Sequence, residues 1–332
     1  MKNFLVAIVF ISMFIGGGNV YASDNKGPMY TVTPVLPENQ QKNITDQFDL
    51  LVKPGSTQII QVILKNKSKK AMQLNSVVVA GVTNSNGIID YKNKVEQKKQ
   101  KDTFTNIATA DEAGSIAAQS EKTLNVEVKI PMSGIDGLML GGIKIEQVSA
   151  AKSESNIQNK YSYIIPIKLQ TKTDQQQAKL NLKKVTISQT GLRNRLVTVL
   201  ENPKGAILRN IEMSLQVQKD KTDTTYYENK KNNLKFAPKS TADLQWALDK
   251  PFEVGTYQVT LKVIADGFEK TWTEALTIDK EEADTLNATS VDEKEKNTNS
   301  LKMYILLGII AVLILMIIII LLKKNKQRNE VE

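Results

Sequence analysis

Neither cysteine nor histidine occurs anywhere in the 332 residues. Their absence removes disulfides, thiolate nucleophiles, zinc sites built on sulfur or imidazole, and every triad whose base is an imidazole. Arginine is scarce too: Arg193, Arg195, Arg209 and Arg328 stand alone among 44 basic residues. Arginine supplies the planar, paired donors that read phosphates and base edges, so a lysine-dominated chain is a poor reader of nucleic acid. No nucleic-acid partner is expected. No Lys-Ser/Thr completes a phosphate loop after Gly141-Gly142, and no Asp-x-Asp-x-Asp-Gly calcium loop occurs. The chain therefore reads as a non-enzyme with no catalytic residue, no metal site and no cofactor. The alternative is a membrane-tethered, carboxylate-based wall hydrolase, whose two acids need not be close in sequence.

The two ends are the most legible part. Met1-Lys2-Asn3 precedes an apolar run from Phe4 to Ile15, and Val20-Tyr21-Ala22 offers a small-residue exit, so residues 1–22 read as a secretory signal peptide. Met303 to Leu322 carries no charge and is mostly Ile and Leu. As a helix it would span about 30 Å, the thickness of a bilayer's hydrocarbon core. Lys323, Lys324, Lys326 and Arg328 follow, which puts the tail 323–332 in the cytoplasm and the body outside. Residues 280–302 contain no proline, so no Leu-Pro-x-Thr-Gly sorting signal precedes the span. An exported body without cysteine, rich in Lys and Asn and poor in Arg, fits the cell surface of a Gram-positive bacterium.

Between the ends the period is two. Leu124, Val126, Val128 and Ile130 alternate with polar neighbours, as do Ile211, Met213, Leu215 and Val217, and Tyr257, Val259, Leu261 and Val263. Such alternation marks half-buried antiparallel strands. Further strands are predicted at Thr57–Leu64, Met72–Ala80, Ile143–Glu146, Tyr161–Leu169, Leu180–Ile187, Arg195–Leu200 and Phe268–Ile278, with turns at Lys53-Pro54-Gly55, Asn86-Gly87 and Asn202-Pro203-Lys204-Gly205. The fold class is mainly β: two tandem immunoglobulin-like β-sandwiches with one C-terminal transmembrane helix.

The expected division is a first sandwich over 23–170, a linker over 171–177 and a second sandwich over 178–279. An acidic, disordered spacer over 280–302 and the membrane helix over 303–322 complete it. Gln97 to Ala113, with Lys98, Lys99 and Lys101, reads as a long exposed excursion. Trp246 and Trp272 are assigned to the core. Tyr226-Tyr227 would face opposite sides of a strand, leaving one exposed for an adhesive contact. The body from 23 to 278 carries the excess of Lys over acids, which suits attraction to anionic wall polymers.

One set of segments resembles a known family. Val35-Leu36-Pro37-Glu38-Asn39-Gln40 is followed by Phe48-Asp49-Leu50 and Lys53-Pro54-Gly55. Asn86-Gly87-Ile88-Ile89-Asp90-Tyr91, Ile135-Asp136-Gly137, Leu140-Gly141-Gly142-Ile143 and Tyr161-Ser162-Tyr163 come next. The later half shows Asn194-Arg195, Asn202-Pro203, Phe236-Ala237-Pro238 and Gly255-Thr256-Tyr257. These resemble the WxL-interacting proteins of Gram-positive bacteria, with a departure at Gln47, where the family commonly has an aromatic. The resemblance implies an N-terminal peptidoglycan-associated domain and a C-terminal host-binding domain. It also implies partnership with wall proteins bearing a Trp-x-Leu motif, and host matrix proteins as a further partner class. The expected binding residues are Pro37, Glu38, Asn39, Gln40, Phe48, Asp90, Tyr91, Tyr226 and Tyr227. Pairing at a strand edge beside Pro37–Gln40 is the expected mode.

Overall fold

The computed structural model describes residues 28–291 and 303–320, except 42–43, 94–102, 149–160, 174–175, 221, 223 and 249. The signal peptide, the cytoplasmic tail and Lys98, Lys99 and Lys101 lie outside the described residues. The chain begins with β1 (Tyr30–Val35), β2 (Phe48–Leu51), β3 (Thr57–Asn66), β4 (Met72–Thr83) and β5 (Ile89–Lys92). A one-turn helix, α1 (Phe104–Ile107), leads into β6 (Ala108–Ala110), β7 (Gly114–Ile116), β8 (Glu121–Lys129), β9 (Leu138–Gln147) and β10 (Ser162–Gln170). Then come β11 (Asn181–Thr190), β12 (Arg193–Asn202), β13 (Leu208–Lys219) and β14 (Thr225–Phe236). After β15 (Ser240–Ala247), β16 (Gly255–Ala265) and β17 (Phe268–Ile278) the chain turns into α2 (Lys280–Thr289) and α3 (Met303–Ile320).

The first ten strands make two sheets, β1-β3-β8-β6 and β2-β10-β9-β4-β5, with β7 also on β4. β2 runs parallel to β10, and the other pairings are antiparallel. The last seven strands make β11-β12-β15 against β14-β13-β16-β17. Both are Greek-key sandwiches of the immunoglobulin type. The period-2 pattern decides what goes inside: Ile60, Val62 and Leu64 of β3 meet Leu124, Val126 and Val128 of β8 in one core. Leu215, Val217, Val259, Leu261 and Trp246 fill the other. Trp246 also satisfies its indole N–H on Thr198 Oγ1 at 3.0 Å, so its full burial leaves no orphaned donor. Trp272 lies half-buried at the edge of that core.

Three expectations change. Residues 103–110 are not an exposed excursion: Phe104 is fully buried, and its ring lies on Gly141, where any Cβ would collide with it. Burying one Phe favours folding by about 1.5–3 kcal/mol, which outweighs the lysines that precede it in sequence. The spacer does not start at 280 either. Asp279 caps α2 by accepting the Glu282 N–H at 2.8 Å, with Glu281 and Glu282 in the first turn. Acids there interact favourably with the helix dipole, so charge that reads as solvating is helix-starting. Ala283 and Leu286, three residues apart, then pack on the second core. Finally, β14 and β15 are strands that the period-2 reading left out: β14 buries nothing between Glu228 and Asn233, and β15 begins its buried face with the small Ser240 and Ala242 before Leu244 and Trp246.

α2 is pinned. Asn287 accepts from the Phe252 N–H at 2.8 Å and from Asn194 Nδ2 at 3.1 Å, and donates to the Phe252 carbonyl. Gln189 donates to the Leu286 carbonyl, and the Val291 N–H reaches the Leu192 carbonyl at 2.9 Å. The chain therefore leaves the second sandwich at the β11–β12 turn. α3 is uncharged, has a mean hydropathy of 3.3 and is exposed along its whole length.

Candidate functional site at the junction of the sandwiches

The two sandwiches are joined by more than the chain between them. The tip of the β4–β5 hairpin enters the seam between β14 and β15. The Lys235 N–H donates to the Gly87 carbonyl at 2.9 Å and the Gln245 N–H to the Ser85 carbonyl at 3.0 Å. The hairpin thus caps the C-terminal end of two edge strands of the second sandwich. Beneath the hairpin, the Thr83 N–H donates to Ser240 Oγ (2.9 Å) and the Ala237 N–H to Thr83 Oγ1 (2.8 Å), all buried.

Alongside, the loop after β8 meets the β12–β13 turn. The Leu138 N–H donates to the Gly205 carbonyl at 2.7 Å. Gly137 has φ +74°, and a Cβ there would sit 2.4 Å from the Gly205 oxygen; a Cβ on Gly205 would lie 2.1 Å from the Asp136 oxygen. Backbone against backbone at that distance admits only glycine on both sides. Asp136 accepts from Lys239 at 3.0 Å and from Gln176, whose own carbonyl accepts the Gly205 N–H. The hydrogen bond from Lys239, then that from Gln176, holds the Asp136 carboxyl below the usual carboxylate range.

Two clefts flank this contact. The larger, about 330 Å³, opens between α1, the loop after β8 and the start of β9, with Phe104, Met139, Leu140, Asp136, Pro238 and Lys239 on its walls. Concave, mostly apolar space with a few polar groups is where a side chain or small ligand would seat. The smaller, about 150 Å³, is polar and is lined by Lys168, Gln170, Gln176 and Arg209 together with backbone of Gly137 and Gly205.

The structure does not bring the sequence-derived residues together. Pro37 and Glu38 sit on a turn at the β1 edge, closed by the Gln40 N–H on the Pro37 carbonyl. Glu38 is exposed, whereas Asn39 donates to Leu51 O and Gln58 Oε1, and Gln40 donates to Ile44 O and Gln47 O while accepting from Asp49 N–H. Asn39 and Gln40 hold the loop that leads to β2. Phe48 is fully buried in the first core. Asp90 and Tyr91 lie on β5, at the opposite lateral edge of that sandwich. There Asp90 accepts the Tyr91 N–H and burial pushes the Tyr91 hydroxyl up.

Tyr226 and Tyr227 correct the expectation of one exposed ring. Val217 pairs with Tyr227 and Gln218 with Thr225, so Tyr226 is the extra residue of a β-bulge and the alternation breaks. Both rings are buried: Tyr226 bonds Pro251 O and lies under Lys250 Nζ at 3.6 Å, and Tyr227 bonds Ala247 O. Burial pushes the Tyr226 hydroxyl up.

The junction residues Thr83, Asp136, Lys239 and Ser240 were not singled out from sequence. The signal for them was present: Asn86-Gly87, Ile135-Asp136-Gly137, Asn202-Pro203 and Phe236-Ala237-Pro238, quoted for the resemblance, are the segments that build this contact.

Comparison with known proteins agrees on the family. The peptidoglycan-binding domain of WxL-interacting proteins matches residues 30–147, and their host-binding domain matches residues 152–288. Among curated proteins, none matches. Similar solved structures include the CsuC–CsuE chaperone–tip adhesion subunit complex of Acinetobacter baumannii. It is 12% identical, with a TM-score of 0.34, covering 75% of this chain and 99% of that one. The E. coli chaperone DraB is 15% identical, with a TM-score of 0.29, covering 70% and 94%. With both domain models matched in order over most of its length, the chain belongs to the WxL-interacting protein family.

Proposed function

We propose that the protein is a single-pass surface adaptor that binds and does not catalyse. α3 holds it in the membrane with the tail inside, and the first sandwich is presented outward to peptidoglycan and to wall proteins bearing the Trp-x-Leu motif. The observation that carries this reading is the placement of α2. β12 runs from Arg193, beside the Asn194 that bonds α2 through Asn287, to Asn202 at the junction. Its ten residues are about 30 Å long. The tether therefore leaves the second sandwich at the pole opposite the first, so the peptidoglycan-binding domain stands a full domain length farther from the bilayer. Host ligands would meet the second sandwich, on faces other than the buried Tyr226-Tyr227.

The chain lacks cysteine, which makes the test clean. Lys69→Cys on the first sandwich should react with a membrane-impermeant maleimide on intact cells, and Glu332→Cys should not. The reverse pattern overturns the topology. Detergent-solubilised full-length protein should sediment with purified sacculi and co-purify a Trp-x-Leu wall protein. Release of soluble glycan from those sacculi, abolished by one Asp or Glu substitution, would establish the hydrolase reading instead.

A further inference from the structure

We propose that the smaller junction cleft binds one small oxyanion, a carboxylate or a phosphate group, which then bridges the two sandwiches. Lys168 and Gln170 come from β10 and Arg209 from β13, so the cleft exists only while the sandwiches are docked. Its volume of about 150 Å³ accommodates one such group.

Among the described residues, the cleft keeps donor capacity that no protein group uses. Lys168 Nζ gives one hydrogen to Asp49 Oδ2 at 2.8 Å, which leaves two of its three. Asp49 itself is buried and does not line the cleft. Among the described residues, Arg209 makes no side-chain hydrogen bond or ion pair, although its backbone carbonyl accepts the Asp266 N–H. The Gln170 amide likewise has no side-chain partner there. Gln176 is committed to Asp136 and Gly205 and serves as a wall. One paired lysine plus one unpaired arginine and a carboxamide leave the cleft net positive, with the forked donor that matches a carboxylate or phosphate edge. Among the arginines of the described residues, only Arg209 lines this cleft.

The chemistry has two sources at a bacterial surface: phosphodiester groups of wall polymers and free carboxylates of wall peptides. The choice between them rests on the surface reading above; the site itself does not. The test uses full-length protein in detergent, with melting followed by tryptophan fluorescence at constant ionic strength. Inorganic phosphate should raise the melting temperature and saturate. Arg209→Gln should weaken the apparent affinity at least about tenfold, and Arg209→Lys by less. Lys69→Gln, remote from the cleft, should change nothing. Glycerol phosphate and an N-acetyl dipeptide with a free carboxylate, set against its amide, identify the source, and a response to either acid supports the site. A response that does not saturate, that survives Arg209→Gln, or that falls equally in Lys69→Gln overturns it. None of these results bears on the orientation of α3, so the anchoring reading stands or falls separately.

Discussion

The two sandwiches turn the same corner with the same residue. At the end of β3, Asn66 is fully buried, accepts the N–H of Ser68 two residues on, and donates to the carbonyl of Lys70 four residues on and to Ile116 and Ala117 at the end of β7 in the facing sheet. At the end of β12, Asn202 is fully buried, accepts the N–H of Lys204 and donates to Ala206 four residues on and to Ala237 across the sheet. One residue differs in consequence. Three positions after the asparagine stands Lys69 in the first corner and Gly205 in the second. Gly205 leaves room for Asp136 and Gly137, so the corner becomes a seat for another domain; Lys69, exposed between Lys67 and Lys70, makes a solvated tip. The same device serves as a joint or a free end according to whether a side chain occupies that position.

Removing the shared device should have the largest effect. Asn202→Ala and Asn66→Ala each strip a buried network and leave carbonyls unsatisfied, for a loss of about 2–4 kcal/mol each. Both tryptophans lie in the second sandwich, so their fluorescence reports that half alone. Denaturant curves should show Asn202→Ala lowering the tryptophan transition fully. Asn66→Ala should lower it only as far as the sandwiches are coupled, while circular dichroism reports the whole loss. Small shifts in both would mean that neither asparagine supports its corner.

Gly205→Ala should sharpen the difference between seat and tip. The added carbon forces the Asp136–Gly137 loop away, costing about 1–3 kcal/mol, whereas Lys69→Ala should fall within about 0.5 kcal/mol of wild type. Spin labels on introduced Lys69→Cys and Thr271→Cys, one per sandwich, should give a single narrow distance that broadens in Gly205→Ala. A narrow distance in that variant would show that the seat tolerates a side chain.

Thr83→Val tests the buried end of the joint. It removes the hydroxyl that accepts from Ala237 and receives Ser240, at about 1–2 kcal/mol, with the same broadening on a smaller scale. Unchanged width would leave the joint resting on the backbone contacts alone.

How legible was this joint in the sequence? The alternating strands, the turn glycines and the apolar span were all readable, because each follows from local period and composition. Residues 103–107 and 279–289 were not. Phe104 packs where Gly141, nearly forty positions away, offers bare backbone, and α2 is docked by distant partners, among them Asn194 and Phe252 on Asn287. Tyr226 needed a bulge that no alternation rule encodes. The junction was hidden for the same reason. Asp136 and Lys239 are ordinary surface residues until the fold places them 3.0 Å apart.

The smallest expected effect belongs to that pair. The folded Asp136 carboxyl lies below its ordinary value, so its contribution is fully present above the unfolded value of about 3.9 and is lost as pH falls through the lowered folded one. Asp136 is largely exposed, so screening by water limits the contribution to below about 1 kcal/mol. Acidification from pH 5 toward 2 should therefore widen the inter-sandwich distance slightly before either sandwich melts. Asp136→Asn should show that width already at pH 5 and no further change, since the amide keeps the shape and loses the charge. The Asn66 corner, beside which lies the half-exposed Lys65–Glu121 pair, supplies the internal control: solvent screening there leaves no comparable acid step in its local melting. If wild type and Asp136→Asn broaden together, the acid sensitivity lies elsewhere and the ion pair is an ornament on a joint made by the two glycines.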